Sequence, residues 1–293
     1  MLNVLILGAS GLLGNVLFWH LSENCHKKFK VWGTFRSQAY IDSFPTKYIN
    51  RALKVNDLLK IEDLENVISD STPDVIINCL SVGQNDFADT SKLLSIFAIF
   101  PQKLNTLCRE RSIRLIQISS DGVYSGSKGF YSENDLPDFI DDYGMSKFLG
   151  EISGENCLTI RSSFIGHDFI NKKGLVDWFL SQKNYCKGYQ QYIFSGFPVN
   201  VFSEILADKV LENKALHGIY HIASKPISKY DLLHIIANVY EKEISIKPDR
   251  TISINRSLNS EKFLNATGYE APNWNVLIKS MNNFSKIMGG RDV

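Results

Sequence analysis

The chain lacks a charge surplus of either sign. Its 293 residues carry 32 lysines and arginines against 31 aspartates and glutamates, a net charge of +1. A nucleic-acid binder carries a basic surplus or a basic block. The densest basic stretch here is Lys27, Lys28 and Lys30, so nucleic acid is excluded as a partner. No apolar run approaches the ~18 residues of a membrane span, and no membrane partner is expected. Met1–Gly8 is apolar but short, without the basic lead and cleavage site of a secretory signal, and reads as a strand. Cysteine is scarce. Cys25, Cys79, Cys108, Cys157 and Cys186 are odd in number, scattered and never in C-x-x-C spacing. That excludes a disulfide framework and points to a reducing cytoplasm. His167, His217, His221 and His234 show no metal-ligand spacing, and no metal is expected. His221 reads as a satisfied polar residue in or near the core.

What is present is an alternation. Leu2–Leu7 is a continuous apolar run bounded by Gly8, as in a buried parallel strand. Leu12, Leu13, Val16, Leu17 and Leu21 recur at helical spacing as an apolar stripe. Phe29–Phe35 is the second strand, and a third ends near Val55. A helix follows over Leu58–Ile68, then a strand over Asp74–Cys79. The long helix from about Ser91 to Arg111 carries Pro101 as a kink or break. Ile113–Ile118 and Leu158–Arg161 complete the strands. This order predicts a Rossmann-type, doubly wound parallel α/β sheet. Right-handed crossovers put every strand's carboxyl end on one ligand-binding edge, which collects Gly8, residues 78–83 and residues 119–124. After about Ile165 the alternation weakens. Helices remain over Leu175–Ser181, Ser203–Glu212, Tyr230–Tyr240 and Trp274–Met281, with only short strands expected between them. The reading is a dinucleotide-binding domain over 1–165, with a later contribution from about 198–224. A smaller C-terminal α/β substrate lobe makes up most of 166–293.

Gly8-Ala9-Ser10-Gly11-Leu12-Leu13-Gly14 follows the first strand and opens the first helix. Gly8 permits a tight turn, Gly11 lets backbone approach a diphosphate, and Gly14 lets helix pack close to strand. The helix N-terminus then points N–H groups and partial positive charge at the phosphates. Ser10, Leu12 and Leu13 complete that loop as cofactor contacts. An NAD site commonly ends its second strand with an acid that grips the ribose 2′-hydroxyl. Here that strand ends in Arg36 and Ser37, which suit a 2′-phosphate. The cofactor is therefore NADPH, with NADH left open. Asp57 is placed to meet the adenine amino group or to cap a helix. Cys79 and Leu80, at the end of the fourth strand, lie on the cofactor edge, and Ser81 lies one step toward the substrate.

Tyr143-Gly144-Met145-Ser146-Lys147 sets a phenol and an ammonium one helical turn apart. A free phenol has a pKa of ~10. A neighbouring ammonium favours the phenolate and lowers that value. The tyrosine then donates a proton to a carbonyl oxygen as hydride reaches the carbon. Lys147 is also placed to bond the cofactor ribose. Alone, this spacing is common on helix surfaces. Ser120, at the end of the fifth strand, supplies a hydroxyl for the same carbonyl, and Asp121 and Gly122 follow it on the substrate side.

With those residues in place, the sequence resembles the extended branch of the short-chain dehydrogenase/reductase family, and more narrowly its dTDP-4-dehydrorhamnose reductase group. The resemblance is anchored at Gly8–Gly14, Pro73–Cys79, Ile118–Ser125, Tyr143–Glu151 and Leu158–Ser163, and further at Gly218–Tyr230 and Arg256–Leu258. It implies a Rossmann domain, a small C-terminal sugar-nucleotide lobe and reduction of a nucleotide-linked 4-keto-6-deoxy sugar in glycan precursor synthesis. It assigns Ser120, Tyr143 and Lys147 as the catalytic triad. Sugar-nucleotide dehydratases of the branch carry an acidic pair where this chain has Asp121 and Gly122, so dehydration is disfavoured. Epimerisation and a non-catalytic, NADP-binding regulatory role stay open. A homodimer is also left open. Two departures stand out: Phe97 occupies a position where the family usually has Asn, and Asn259 one where Asp is common.

On the substrate side, Arg161 and Ser163 resemble a segment that lies beside the sugar nucleotide, although Arg161 equally suits an interdomain salt bridge. Arg256 is a candidate for the diphosphate, where a guanidinium matches phosphate oxygens. Tyr192–Phe197 reads as a strand and turn with aromatics in the core.

Overall fold

The computed structural model describes residues 1–42, 46–83, 86–169, 172 and 174–289. The strands are β1 (Leu2–Leu7), β2 (Phe29–Phe35), β3 (Ala52–Lys54), β4 (Val75–Asn78), β5 (Arg114–Ile118), β6 (Cys157–Arg161), β7 (Phe164–Ile165), β8 (Tyr185–Phe194), β9 (Phe197–Pro198), β10 (Gly218–His221), β11 (Ile227–Ser228) and β12 (Ser245–Asn255). The helices are α1 (Leu12–Asn24), α2 (Gln38–Asp42), α3 (Thr46–Ile49), α4 (Ile61–Ser71), α5 (Thr90–Leu94), α6 (Phe100–Glu110), α7 (Asp142–Leu149), α8 (Leu175–Ser181), α9 (Val199–Ile205), α10 (Lys229–Val239), α11 (Glu261–Thr267) and α12 (Trp274–Gly289).

Seven strands form one sheet in the order β10-β6-β5-β4-β1-β2-β3. The pairings of β1 with β2 and β4, of β2 with β3, and of β5 with β4 and β6 are all parallel. This is the doubly wound Rossmann-type architecture. β4 and β5 are buried at every position, as strands covered on both faces must be. One core joins Leu5, Leu7 and Ile76 of the sheet to Leu64 and Val67 of α4 and to Leu104 and Leu107 of α6. The expected stripe on α1 proves too narrow. Ten consecutive residues, Leu13–Ser22, are buried, because Phe18 and Trp19 fill the flank that a one-sided helix leaves to water.

The chain separates into two compact units. The first comprises Met1–Ser119, Asp141–Ile160 and Ser203–Ile219, and the second Ser120–Ile140, Arg161–Phe202 and Tyr220–Val293. This division interrupts the expected continuous stretch 1–165 at 120–140. It gives the first unit only 203–219 of the later segment. In the second unit β7, β9 and β11 are as short as expected, but two strands are not. β8 has 10 residues and pairs in parallel with the 11-residue β12, while β11 pairs antiparallel on its other side. Lys187 and Gln191 break any apolar run in β8, so no continuous signal was there to read. Gly188 allows the close seat of α10 on this sheet, since a Cβ there would stand 2.9 Å from the Tyr230 ring.

The expected long helix over 91–111 is three pieces. Between α5 and α6 the chain widens into a π-type stretch over Ser95–Ile99. Pro101 has no N–H to offer the carbonyl of Phe97. That carbonyl lies against Gly150, where any Cβ would overlap it. The wide turn and α7 therefore meet backbone to backbone, which fixes the position of Tyr143 and Lys147. α4 starts at Ile61, three residues late, because residues 57–60 form a turn closed by Lys60 N–H onto Asp57 O at 3.1 Å.

Candidate active site

The glycine loop lies wholly in the first unit. Gly8 has φ +80°, a left-handed conformation, and its backbone N–H donates to Thr34 Oγ1 at 2.9 Å. A Cβ on Gly14 would overlap the Gly8 carbonyl, so the first turn of α1 rests directly on the strand end. Gly11 is different. A Cβ there would meet Gly8 O at 3.4 Å and Cys79 O at 4.0 Å, ordinary contacts. No side chain caps α1, and no acid stands in its first turn. Gly11 N–H turns back onto the Gly8 carbonyl at 3.0 Å, and the first turn that follows keeps its positive end for an anion. Ser10, Leu12 and Leu13 lie in this loop and first turn as expected.

Arg36 is exposed and Ser37 half-buried just beyond β2. Asp57 accepts the backbone N–H of Leu59 at 3.0 Å, so its carboxylate closes a turn and leaves the cap of α4 to Lys60. Cys79 is buried, and burial pushes its thiol up to about 12. Its backbone N–H donates to Leu7 O at 3.0 Å. Leu80 donates to Asn78 Oδ1 at 3.2 Å, while Ser81 is exposed.

Tyr143 is half-buried on α7, which begins at a capping Asp141 that accepts the Gly144 N–H at 2.7 Å. The ring lies 5.3 Å from Phe87 and 5.6 Å from Phe97, the latter at 89°. Lys147 is 7% exposed and donates from Nζ to the Ile118 carbonyl at 2.8 Å. Its ammonium sits 4.5 Å from the centroid of Phe97. Burial lowers its pKa to about 8, against opposing pulls from Glu151 and Cys79. Among the described residues its hydrogen-bond acceptor is Ile118 alone, which leaves two of three N–H bonds for a ligand.

The second unit holds the remaining expected residues. Ser120 Oγ accepts the Gly122 N–H at 3.0 Å and donates to Asp121 Oδ1 at 3.3 Å. Asp121 has its pKa raised by burial, opposed by a hydrogen bond from Ser163, the Arg256 charge, Ser120 and Lys229. Ser120, Asp121, Ser163 and Arg256 thus form one cluster. Arg161 is 2% exposed and donates to Tyr124 Oη at 2.6 Å, beside His221 Nε2 at 3.4 Å. These two partners lie in its own unit, so these contacts are not the interdomain salt bridge that the sequence suggested. His221 is fully buried with its pKa lowered to about 3, by burial first and then by Arg161. Phe194 packs 5.6 Å from Trp274 in the core.

Lys229 was missed. It opens α10 behind the Ser228 cap, with its ammonium 3.6 Å from the Tyr192 ring centroid. Burial lowers its pKa, with Asp121 opposing and Arg256 reinforcing. The signal was available: a lysine in the first turn of a helix opposes the helix dipole and needs a reason.

The chain belongs to the RmlD substrate binding domain family, which matches residues 2–185. Among curated relatives, the probable low-salt glycan biosynthesis reductase Agl14 of Haloferax volcanii is 29% identical over 167 residues. That match covers 55% of this chain and 52% of the relative, so the chain spans about half the length of that reductase. Methionine adenosyltransferase 2 subunit beta of Xenopus tropicalis is 25% identical over 259 residues, covering 81% of this chain and 72% of that one. Among solved structures, dTDP-4-dehydrorhamnose reductase from Bacillus anthracis in complex with NADP has a TM-score of 0.79 at 19% identity, over 97% of this chain and 100% of that one.

Proposed function

We propose that this protein is an NADPH-dependent reductase of a nucleoside-diphosphate-linked keto sugar, of the 4-keto-6-deoxy class. The observation that carries this reading is Lys147, a buried ammonium one helical turn from Tyr143 whose one hydrogen-bond acceptor among the described residues leaves two N–H bonds for a ligand. The uncapped N-terminus of α1 and the open side of Gly11 fit a dinucleotide diphosphate. Arg36 and Ser37 are assigned to its 2′-phosphate, and Cys79, Leu80 and Lys147 to its nicotinamide half. When bound, NADPH supplies hydride. Tyr143 Oη donates the proton to the carbonyl oxygen, and Lys147 makes that phenol a stronger acid. Ser120 orients the carbonyl. Arg256, joined by Lys229, takes the substrate diphosphate, and Ser81, Gly122 and Ser163 line the sugar side. The reductase names among the relatives support this assignment.

The test is NADPH oxidation against a panel of nucleotide-linked 4-keto-6-deoxy sugars, with Tyr143→Phe in parallel. Turnover that falls by about 100-fold or more in the variant is the expected result. Unchanged turnover in Tyr143→Phe overturns the mechanism.

A second reading has its own support: the relative matched over 81% of this chain is named as a subunit of a methionine adenosyltransferase. Under that reading the protein binds NADPH, oxidises none of it with any sugar of the panel, and alters the activity of a methionine adenosyltransferase added in trans.

A further inference from the structure

Phe97 touches both members of the Tyr143–Lys147 pair. Its ring is 2% exposed and stands at the centre of the wide turn Ser95–Ile99. The Lys147 ammonium lies over it at 4.5 Å, and the Tyr143 ring stands perpendicular to it at 5.6 Å. An aromatic face carries partial negative charge, and its attraction for an ammonium grows as water is removed. Lys147 is such a desolvated ammonium, with the Ile118 carbonyl as its hydrogen-bond acceptor among the described residues. The ring therefore supplies the second attraction that a single carbonyl leaves wanting.

We infer that Phe97 is a positioning residue: its π face is the second anchor of the Lys147 ammonium, and the same ring sets the pitch of Tyr143. Its catalytic consequence rests on the reductase reading, whereas the anchoring does not. The seat of Phe97 is built for this. Its carbonyl is pressed against Gly150 at the end of α7, so the ring cannot drift away from the helix that carries both partners. Among the described residues, the charged or titratable groups that act on Lys147 besides the Tyr143 phenol are Glu151 and Cys79. Glu151 accepts the Ser119 hydroxyl at 2.7 Å, and the Cys79 thiol, pushed up to about 12, stays neutral at working pH.

The experiment replaces Phe97 in the full-length protein with mono-, di- and trifluorinated phenylalanine. These keep the ring's shape while draining charge from its face. The Lys147 side-chain resonances are followed by NMR with isotopically labelled lysine, against pH. The titration midpoint is expected to fall stepwise with each fluorine, by about one unit across the series. Phe97→Leu should move the Lys147 ε-methylene protons downfield as the ring current is lost. A midpoint that ignores the fluorines means the ring only fills space, and the inference falls. Turnover is read separately on the same proteins. An inactive protein whose midpoint still follows the fluorine count loses the reductase reading and keeps the anchor. An active one with an indifferent midpoint loses the anchor alone.

Discussion

Arg114 and Lys147 are both buried cations of the first unit, and both donate to backbone carbonyls, yet they are held differently. Arg114 projects from β5 and gives four N–H bonds to the carbonyls of Val210, Leu211, Asn213 and Leu216, at 2.9 to 3.0 Å. Those carbonyls lie at and just beyond the end of a helical stretch, and two of them, Val210 and Asn213, also accept backbone N–H groups at 3.1 and 3.3 Å. Lys147 has one carbonyl and an aromatic face. A group whose bonding capacity is used up inside the chain is architecture, and one with capacity left over marks a site. The largest expected effect follows directly. Arg114→Met should lower the unfolding free energy by about 3–5 kcal/mol, since it removes four hydrogen bonds at once and takes the guanidinium donors from the Leu211 and Leu216 carbonyls. Lys147→Met should stay within about 1 kcal/mol of the parent, because the Ile118 carbonyl keeps the Gln117 Nε2 donor at 3.4 Å and the cost of a buried ammonium is relieved. Urea unfolding of the two variants measures this, and equal losses would erase the distinction.

A pH series sharpens it. The folded Lys147 titrates at about 8, below its ordinary 10.5. Between those values the unfolded chain binds the extra proton, so stability must rise with pH there. The contribution is on the order of 3 kcal/mol across the window, absent below about pH 8. The difference between parent and Lys147→Met should therefore grow from pH 8 to 10. Turnover should run the other way, falling as the ammonium that acidifies Tyr143 is lost. Arg114 opens no such window, because a guanidinium keeps its charge over this range. A parent and a Lys147→Met variant with parallel stability profiles would show that Lys147 is not desolvated as described.

The same distinction explains what the sequence made legible. β1 and β2 were readable to the residue, because a short stretch rich in apolar and β-branched residues, closed by Gly8 in the first and by Arg36 in the second, is a local signal. The Tyr143–Lys147 spacing and the glycine loop were likewise local. Arg114 was not readable: its acceptors lie 96 to 102 residues onward, and nothing in Ile113–Ile118 announces them. Lys229 and Phe97 each left a local trace, a lysine in a first helical turn and a departure from the usual Asn, but their roles were not readable for a related reason. Their meaning lies in the rings and charges beside them, Tyr192 for one and Tyr143 with Lys147 for the other, and those contacts exist only after folding. The wide turn over Ser95–Ile99 left a trace in Pro101, which marked a break but not its form.

The smallest effect is the most discriminating, and it falls on two glycines of one loop. Gly14 is used internally. Its missing Cβ makes room for the Gly8 carbonyl, so Gly14→Ala must push backbone apart and should lose about 1–3 kcal/mol. Gly11 has φ −84°, open to any residue, and only ordinary contacts around its would-be Cβ. Gly11→Ala should leave the unfolding midpoint within about 0.5 kcal/mol, or raise it slightly by restricting the unfolded chain. Its effect should appear on adding cofactor, as a rise of about tenfold or more in the Kd for NADPH. Urea midpoints and NADPH titrations on the two variants read both quantities. An affinity loss without a stability loss is what space left for a diphosphate produces, whereas a shared stability loss would mean that the chain itself fills the space beside Gly11.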